Sequence, residues 1–425
     1  SSAASDVYKR QSPARGHLYP LLGTALGLQD RGHNVHIRTL APEVDRVRAL
    51  GLPAEPIAPE VEARELDDWR GSNQMQVLEL AMRTFGDRAL LEVDDMQEAI
   101  EESAADVLLV DTNSWGAQAV AEASGLPWAT FQPYFTALPA PGVPPFGPGL
   151  PRSTNLFGRA RDALMSKVIF SKMSQYAMPS INATRTRLGL EPLGNYVELL
   201  QRPPRVFYFT VEELEYPREH WPESFRLVGP TRWELPAEAP EWMADIDRPI
   251  ALVTLSTERQ SDRDLIDTAL QTLPQQGFFV VATTAAYAPE EFGGSANSNY
   301  RVERFVPHGP IIDRADVVIC HGGMGITQRA LAAGVPVVVV PFGRDQLDVA
   351  RRVEYAGAGV RLLPKDLNED TLAAAVQETR SMKGGAARIA GAFASAGSDA
   401  AIVEGVEELL SETAVSRPAA VVAGA

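Results

Sequence analysis

Short runs of apolar residues alternate with helix-like segments, and this alternation occurs twice along the chain. The strand-like runs lie at 35–40, 106–111, 127–131 and 205–210 in the first half, and at 249–255, 278–282, 316–320 and 335–340 in the second. Between them, apolar residues recur at helical spacing, as in 18–30 and 262–273. Alternating strands and helices predict parallel sheets covered by helices on both faces. The sequence therefore predicts an α/β protein with two domains built from β/α/β units.

The length of 425 residues, 45% of them hydrophobic, is more than one typical core accommodates. The stretch 216–244 is rich in Pro, Trp and Glu and has no clean periodicity, which is typical of a linker. The sequence thus predicts a first domain at 1–215, a linker at 216–245 and a second domain at 246–400. Residues 401–425 are expected to form a C-terminal helix and tail, with the helix packed back on the first domain.

Charge and cysteine content restrict the classes of function. A net charge of -16 disfavours nucleic acid as a partner, because proteins that bind its phosphate backbone usually present a basic face. Cys320 has no second cysteine with which to form a disulfide, as expected in a reducing cytoplasm. The N-terminus lacks a signal-peptide pattern, and the apolar runs are too short for a membrane span. We expect a cytoplasmic protein without stable membrane insertion.

A glycine-rich turn follows the apolar run 316–320, and a helical segment begins directly after it. The turn consists of His321, Gly322, Gly323, Met324 and Gly325. Glycines allow a ligand to approach the backbone, and a helix N-terminus offers free N–H groups and a partial positive charge. The turn therefore predicts a diphosphate site, with a ligand-free turn as the alternative.

A histidine stands just before the first helix, in the pattern Arg15-Gly16-His17-x-x-Pro20. Imidazole titrates near neutral pH and suits a general base, although such a histidine can also cap or pack locally. The segment 133–151 holds seven prolines among aromatic residues, which predicts a long irregular loop of the kind that lines binding sites. From this loop and the apolar helix at 74–91, the candidate acceptor-binding residues are Met75, Phe85, Tyr134, Phe135 and Phe146.

These motifs together resemble the family 1 glycosyltransferases. The matching residues are Phe305-Val306-Pro307-His308, His321-x-Gly323, Ala333-Gly334-x-Pro336, Pro341-x-x-x-Asp345-Gln346 and the Gly-His-x-x-Pro pattern, and the style is that of actinobacterial natural-product enzymes. The resemblance implies the GT-B fold, in which two Rossmann-like domains face each other across a cleft. It also implies donor-binding roles for Ser256, Thr257, Phe305, Val306, His321, the glycine turn through Gly325, Asp345 and Gln346, and catalytic roles for His17 as base and Asp111 as its carboxylate partner.

The chain departs from the family pattern at two places. Gly325, Ile326 and Arg329 occupy positions where the family often has Asn-Ser and a ribose-binding Glu. The first eleven residues, SSAASDVYKRQ, stand where the family has a strongly apolar strand, and Val7 and Tyr8 are their good strand formers. This composition predicts a degenerate or replaced first strand.

The resemblance implies an inverting transferase that needs no metal and no cofactor. Its substrates would be a UDP- or dTDP-sugar and a hydroxyl of a small hydrophobic acceptor such as a polyketide, macrolide or phenolic compound. Two alternatives stay open. One is a sugar-nucleotide epimerase on the same fold, which would need carboxylates flanking the sugar. The other is a non-catalytic partner protein that retains the fold.

Overall fold

The computed structural model describes residues 5–10, 13–71, 73–231, 234, 237–256, 262–292 and 296–416. Its strands form two sheets, and all neighbouring strands in each sheet are parallel. The first sheet has the order β3-β2-β1-β4-β5-β6-β7. Its strands are β1 (Asp6–Arg10), β2 (Asn34–Thr39), β3 (Ala54–Pro56), β4 (Val107–Asp111), β5 (Trp128–Gln132), β6 (Val206–Tyr208) and β7 (Phe225–Leu227).

The second sheet has the order β10-β9-β8-β11-β12-β13. Its strands are β8 (Ile250–Thr254), β9 (Phe279–Thr283), β10 (Tyr300–Glu303), β11 (Ala315–Cys320), β12 (Val337–Val339) and β13 (Gly359–Arg361). Val337 and Val339 belong to one buried apolar cluster and Val338 to another. Both faces of the sheet are thus buried, which explains why its strands are continuous apolar runs. The predicted two-domain α/β architecture is confirmed.

Helices cover both sheets. With the first sheet lie α1 (Arg15–Leu18), α2 (Leu22–Asp30), α3 (Val44–Arg48), α4 (Pro59–Glu62), α5 (Gln74–Ser103), α6 (Trp115–Ser124), α7 (Leu156–Arg187) and α8 (Tyr196–Gln201). After β8 follow α9 (Arg263–Thr272), α10 (His308–Ile312), α11 (Met324–Ala332), α12 (Gln346–Tyr355), α13 (Glu369–Thr379), α14 (Lys383–Ser395) and α15 (Asp399–Ser416). Residues 133–155 contain neither helix nor strand, which confirms the predicted irregular loop. No helix among the described residues has both the length and the apolar character that a membrane crossing requires.

The first strand forms despite its polar composition, so the expectation of a degenerate or replaced strand is wrong. β1 lies between β2 and β4, and Val7 pairs with Val35 on one side and Val107 on the other. A central position gives the strand backbone hydrogen bonds on both edges, and Val7 and Tyr8 are both buried. The cost of the polar composition falls on Lys9, which is 2% exposed and has its ammonium 5.7 Å from the ring centre of Phe131.

Replacing Lys9 with methionine should raise the free energy of unfolding by about 3 kcal/mol near pH 6. Burial lowers the pKa of Lys9 from 10.5 to about 7, against the opposing effect of the Asp111 carboxylate. Between these values the unfolded chain binds more protons than the folded chain. The free-energy cost of burying the charged Lys9 side chain is therefore complete below pH 7, and it is lost as the pH rises towards 10.5.

Denaturant unfolding of both proteins near pH 6 and near pH 10 would measure this gain, which should shrink at the higher pH. Lys167→Met is the matched control, because Lys167 is exposed and its replacement should change stability little at either pH. A gain of equal size at both pH values would contradict the buried charge as its cause.

The first domain extends further along the chain than the sequence predicts. β7 lies inside the predicted linker 216–245, yet it pairs with β6 in the first sheet. Its three residues are too few to show a strand periodicity, which explains why the sequence did not reveal it. The linker of the structure therefore runs from the end of β7 to the start of β8.

The chain crosses between the domains a second time after α14. Ile402, Val403, Val406 and Leu409 of α15 belong to the apolar cluster that includes Leu22 and Phe207 of the first domain. The two crossings lie side by side, because the N–H of Ser398 donates to the carbonyl of Val228 at 2.9 Å. The tail predicted after this helix lies, from residue 417 onwards, outside the described residues.

Candidate active site

His17 lies in the short helix α1, where the chain leaves β1 at the carboxyl edge of the first sheet. Its N–H donates to the carbonyl of Ala14 at 3.0 Å, which fixes the turn. Glu43, from the segment after β2, accepts hydrogen bonds from Arg15 at 2.6 Å and from the Tyr19 hydroxyl at 2.8 Å. The turn that presents His17 is thus held from two sides.

The imidazole of His17 has a carboxylate partner. Its Nδ1 lies 2.7 Å from Oδ2 of Asp111, which is fully buried at the end of β4. The other carboxylate oxygen accepts the N–H of Asn113 at 2.8 Å, so the carboxylate is fixed in orientation. An ionised carboxylate can only accept a hydrogen bond, so Nδ1 carries the proton and Nε2 is left as an acceptor. This pair can take a proton from a bound hydroxyl at Nε2.

Tyr134 borders the histidine. Its ring centre lies 5.8 Å from that of His17, and its hydroxyl donates to Oδ1 of Asn113 at 2.6 Å. Burial raises the pKa of Tyr134 well above 10.0, with the nearby Asp111 carboxylate acting in the same direction. The phenol therefore stays neutral at physiological pH and serves as a wall beside the base.

The glycine turn lies at the carboxyl edge of the second sheet. β11 ends at Cys320, and Gly323 is the residue just before α11. Gly322 has φ of +93°, and a Cβ on it would lie 2.7 Å from Cγ1 of Val339. Burial lowers the pKa of His321 to about 4, against the effect of a hydrogen bond to the Thr254 backbone, so its imidazole is neutral near pH 7. The turn thus places a neutral imidazole beside the free N–H groups of a nine-residue helix.

Asp345 and Gln346 begin α12, but the two side chains differ in what they contact. Burial raises the pKa of Asp345, while the charges of Arg344 and His17 act to lower it. That carboxyl is thus within electrostatic reach of His17 in the other domain. The Gln346 carbonyl accepts the N–H groups of Phe342 at 2.8 Å and Gly343 at 3.1 Å. The amide of Gln346 therefore shapes its own loop.

Other predicted donor residues differ in exposure. Phe305 is 71% exposed after β10, whereas the side chains of Val306 and Met324 pack against the core of the second domain. Ser256 is buried after β8, and its N–H donates to Asp262 at 2.9 Å. Thr257 lies outside the described residues. Phe305 thus has a free aromatic face, while Val306 and Met324 can offer backbone groups alone.

Arg329 occupies the position at which the family often has a glutamate. It forms an ion pair with Glu234 of the linker, and Glu234 also accepts the N–H of Gly309. Burial raises the pKa of Glu234, while the Arg329 charge acts to lower it. A carboxylate is therefore present beside α11, although it comes from a different part of the chain.

The predicted acceptor residues do not form one surface. Phe135 is fully buried and its ring centre lies 4.3 Å from the guanidinium of Arg352, so its prediction as an acceptor contact is wrong. Phe146 packs against the same core, and Phe85 packs edge-on to Trp115 at 5.5 Å. Met75 is exposed at the start of α5. Tyr134 is the predicted acceptor residue that the fold brings to His17.

Several side chains that connect the domains were missed in the sequence. Asp68 forms an ion pair with Arg344, and Asp348 accepts the N–H of Gly147 from the irregular loop at 2.7 Å. The spacing of Asp348 and Arg352, four residues apart on a predicted helix, was an available signal. No such signal was available for Asp68, because its partner Arg344 is distant in the sequence. Among the described residues, no three His, Cys, Asp or Glu side chains converge as metal ligands would.

Comparisons with known proteins agree with this geometry. Residues 278–409 match the model of the C-terminal domain of erythromycin biosynthesis protein CIII-like proteins. The chain is 29% identical over 385 residues to the 4'-demethylrebeccamycin synthase of Lentzea aerocolonigenes, covering 86% of this chain and 89% of that protein.

Solved structures share the whole fold. The glycotransferase of kitacinnamycin superposes with a TM-score of 0.76 at 21% identity, covering 96% of this chain and 99% of that one. A Streptomyces sp. SF2575 glycosyltransferase complexed with thymidine diphosphate gives a TM-score of 0.67 at 21% identity, covering 96% and 100%. These likenesses confirm the GT-B arrangement of two Rossmann-like domains.

Proposed function

Because the chain is a glycosyltransferase of the natural-product GT-B type, we propose that it transfers a sugar from a nucleoside-diphosphate donor to a hydroxyl of a small hydrophobic acceptor, with inversion at the anomeric carbon. The observation that carries the proposal is the His17–Asp111 pair, with 2.7 Å between Nδ1 and Oδ2. We take His17 as the base, and we take Asp345 of the opposite domain, whose carboxyl interacts electrostatically with His17, as the group that would bind the sugar.

The reaction is a single displacement. Nε2 of His17 takes the proton of the acceptor hydroxyl, and the oxygen attacks the anomeric carbon from the face opposite the diphosphate. The bond between that carbon and the diphosphate oxygen breaks, and its electron pair leaves with the nucleoside diphosphate. Asp111 stabilises the imidazolium that forms. Attack from the opposite face accounts for inversion.

The leaving diphosphate would be bound by His321 and the N–H groups at the start of α11. The helix N-terminus supplies hydrogen-bond donors and a partial positive charge, and the neutral imidazole of His321 lies directly against Gly323 of the turn. These groups are fixed before the reaction, so they stabilise the developing charge without reorganisation. We therefore propose that transfer needs no metal ion, and activity in the presence of EDTA should equal activity without it.

The donor is a uridine or thymidine diphosphate sugar. The exposed ring of Phe305 suits stacking on the base, and the complex of the Streptomyces sp. SF2575 glycosyltransferase with thymidine diphosphate supports a nucleotide donor. Asp345 can accept hydrogen bonds from sugar hydroxyls, and Gln346 holds the loop that carries it. The acceptor would lie against Tyr134, whose ring borders His17. The name of the rebeccamycin relative supports a natural-product acceptor.

The Gly323→Ala variant should bind the nucleoside diphosphate about tenfold more weakly than the wild type, the equivalent of about 1.4 kcal/mol or one hydrogen bond. A Cβ at this position would lie 2.5 Å from Nε2 of His321, so the imidazole must move out of place. Isothermal titration with UDP and with dTDP would measure the loss and identify the base.

Gly384→Ala is the matched control, because Gly384 lies in α14, outside the proposed site, and a Cβ there meets no atom within 4 Å. Its affinity should equal that of the wild type. If both variants bind as the wild type does, the diphosphate lies elsewhere. Binding of nucleotide without transfer to any acceptor would favour a non-catalytic partner protein, and conversion of the donor without an acceptor would favour an epimerase.

A further inference from the structure

An ion pair joins the two domains at the mouth of the cleft. Nε and Nη2 of Arg344 lie 3.0 and 2.9 Å from the two carboxylate oxygens of Asp68. Asp68 belongs to the single turn before α5 in the first domain, and Arg344 to the loop before α12 in the second. The side chain of Asp68 is 4% exposed, so the pair is largely shielded from water. This two-point geometry has a directional specificity that a surface ion pair lacks.

The backbone of Arg344 is strained. Its φ is +55°, in the left-handed region that non-glycine residues rarely adopt. Such a conformation persists where surrounding contacts fix it. Two contacts do so here: Gln346 holds the loop from within its own domain, and Asp68 holds the Arg344 side chain from the other domain. The next residue in the chain is Asp345.

The pair also belongs to the electrostatic surroundings of the site. The charges of Arg344, His17 and Asp68 all act on the Asp345 carboxyl. Two of these three groups come from the first domain. The electrostatic surroundings of Asp345 therefore depend on how the domains meet.

We propose that Asp68 and Arg344 are positioning residues, whose pairing closes the domains at the cleft mouth and turns Asp345 towards the sugar of the donor. This inference rests on the proposed function. Because Asp345 would contact the sugar and not the nucleotide, loss of the pair should weaken binding of the nucleotide sugar and leave binding of the free nucleoside diphosphate unchanged. A general loss of structure would weaken both.

The test compares four variants with the wild type by titration with UDP and UDP-glucose, or with the dTDP pair if thymidine is the base. Asp68→Asn should weaken nucleotide-sugar binding about tenfold, because a charged two-point pair becomes at most one neutral hydrogen bond. Arg344→Gly should do the same, since glycine retains the left-handed backbone without the guanidinium. The charge-reversed double variant Asp68→Arg with Arg344→Asp should recover most of the affinity. Asp67→Asn is the matched control, because Asp67 pairs with Arg70 of its own turn.

Hydrogen exchange in the ligand-free protein gives a readout independent of the donor. Segment 342–346 should exchange faster in Asp68→Asn and Arg344→Gly, and at the wild-type rate in Asp67→Asn. Wild-type exchange and wild-type nucleotide-sugar affinity in Asp68→Asn would overturn the proposal. A protein that binds neither the nucleoside diphosphate nor the nucleotide sugar would count against the proposed donor function. Faster exchange in its Asp68→Asn variant would still support the claim that the Asp68–Arg344 pair fixes the loop 342–346.

Discussion

Replacement of His17 by alanine should lower kcat by about 10²–10⁴-fold and leave the affinity for the nucleoside diphosphate unchanged. In the proposed mechanism the variant loses the acceptor for the hydroxyl proton, whereas the proposed diphosphate site lies in the other domain. Asp111→Asn should lower kcat over a similar range. An amide can present its N–H to Nδ1 and so favour the tautomer in which Nε2 carries the proton and cannot act as a base. Steady-state transfer rates at saturating donor and acceptor would measure both losses.

His36→Ala is the control for a general effect of losing a histidine in the first domain. His36 lies on β2, and its partly exposed ring is 3.8 Å from Asp6. Its removal should leave kcat within about twofold of the wild type, as for a surface residue outside the site. Turnover of His17→Ala close to the wild-type rate would refute its assignment as the base.

Replacement of Arg352 by methionine should lower the free energy of unfolding by about 3–5 kcal/mol. Nε of Arg352 lies 3.0 Å from a carboxylate oxygen of Glu215, and both side chains are buried. The guanidinium carbon also lies 4.3 and 4.8 Å from the ring centres of Phe135 and Tyr216. Methionine fills much of the space but leaves the buried carboxylates of Glu215 and Asp348 without the guanidinium that pairs with both. Equilibrium unfolding in urea would measure the loss.

The triple variant Arg352→Met, Glu215→Gln and Asp348→Asn separates the unpaired charges from lost packing, because Arg352 also pairs with the buried Asp348 at 3.5 Å. Removing all three charges should recover most of the stability, because buried ion pairs often contribute little compared with neutral groups of similar shape. Arg351→Met is the neighbouring control, since Arg351 donates to the carbonyl of Gly149 at 2.9 Å and pairs with Glu354 nearer the surface. Its loss should cost about 1 kcal/mol. Equal losses for both arginines would contradict the buried pair as the source.

The second domain was the more predictable from sequence. Its strands are buried on both faces, so each appears as an unbroken apolar run, and the glycine turn follows one of them directly. In the first domain, β1 was not predicted to form, because its pairing with strands on both sides compensates for the unfavourable burial of Lys9. The strand β7 was not predicted, because three residues are too few to show the alternation of side chains that is typical of a strand. In both cases the tertiary surroundings outweigh local propensity.

The residues of the candidate site also differ in how well the sequence predicts them. His17 and Asp111 belong to a recognisable pattern, and the structure brings them together at 2.7 Å. Phe135 was misassigned because an aromatic residue in a loop can face either a ligand or the core, and its packing on Arg352 was not visible in the sequence. The Asp68–Arg344 pair joins residues 276 positions apart, and such a contact follows from how the domains meet. Local sequence thus predicts which groups end at each sheet edge, but not which groups meet across the cleft.

The double crossing between the domains constrains how such enzymes can be recombined. The last helix, α15, completes the core of the first domain, although it follows the second domain in the chain. A chimaera that joins the first half of one relative to the second half of another at a single point would pair α15 with a foreign core. The exchange unit is therefore an insertion, roughly 229–397, flanked by the neighbouring crossings at Val228 and Ser398. If the second domain binds the donor, as proposed, exchange of this insertion would transplant donor preference while the core of the first domain stays intact.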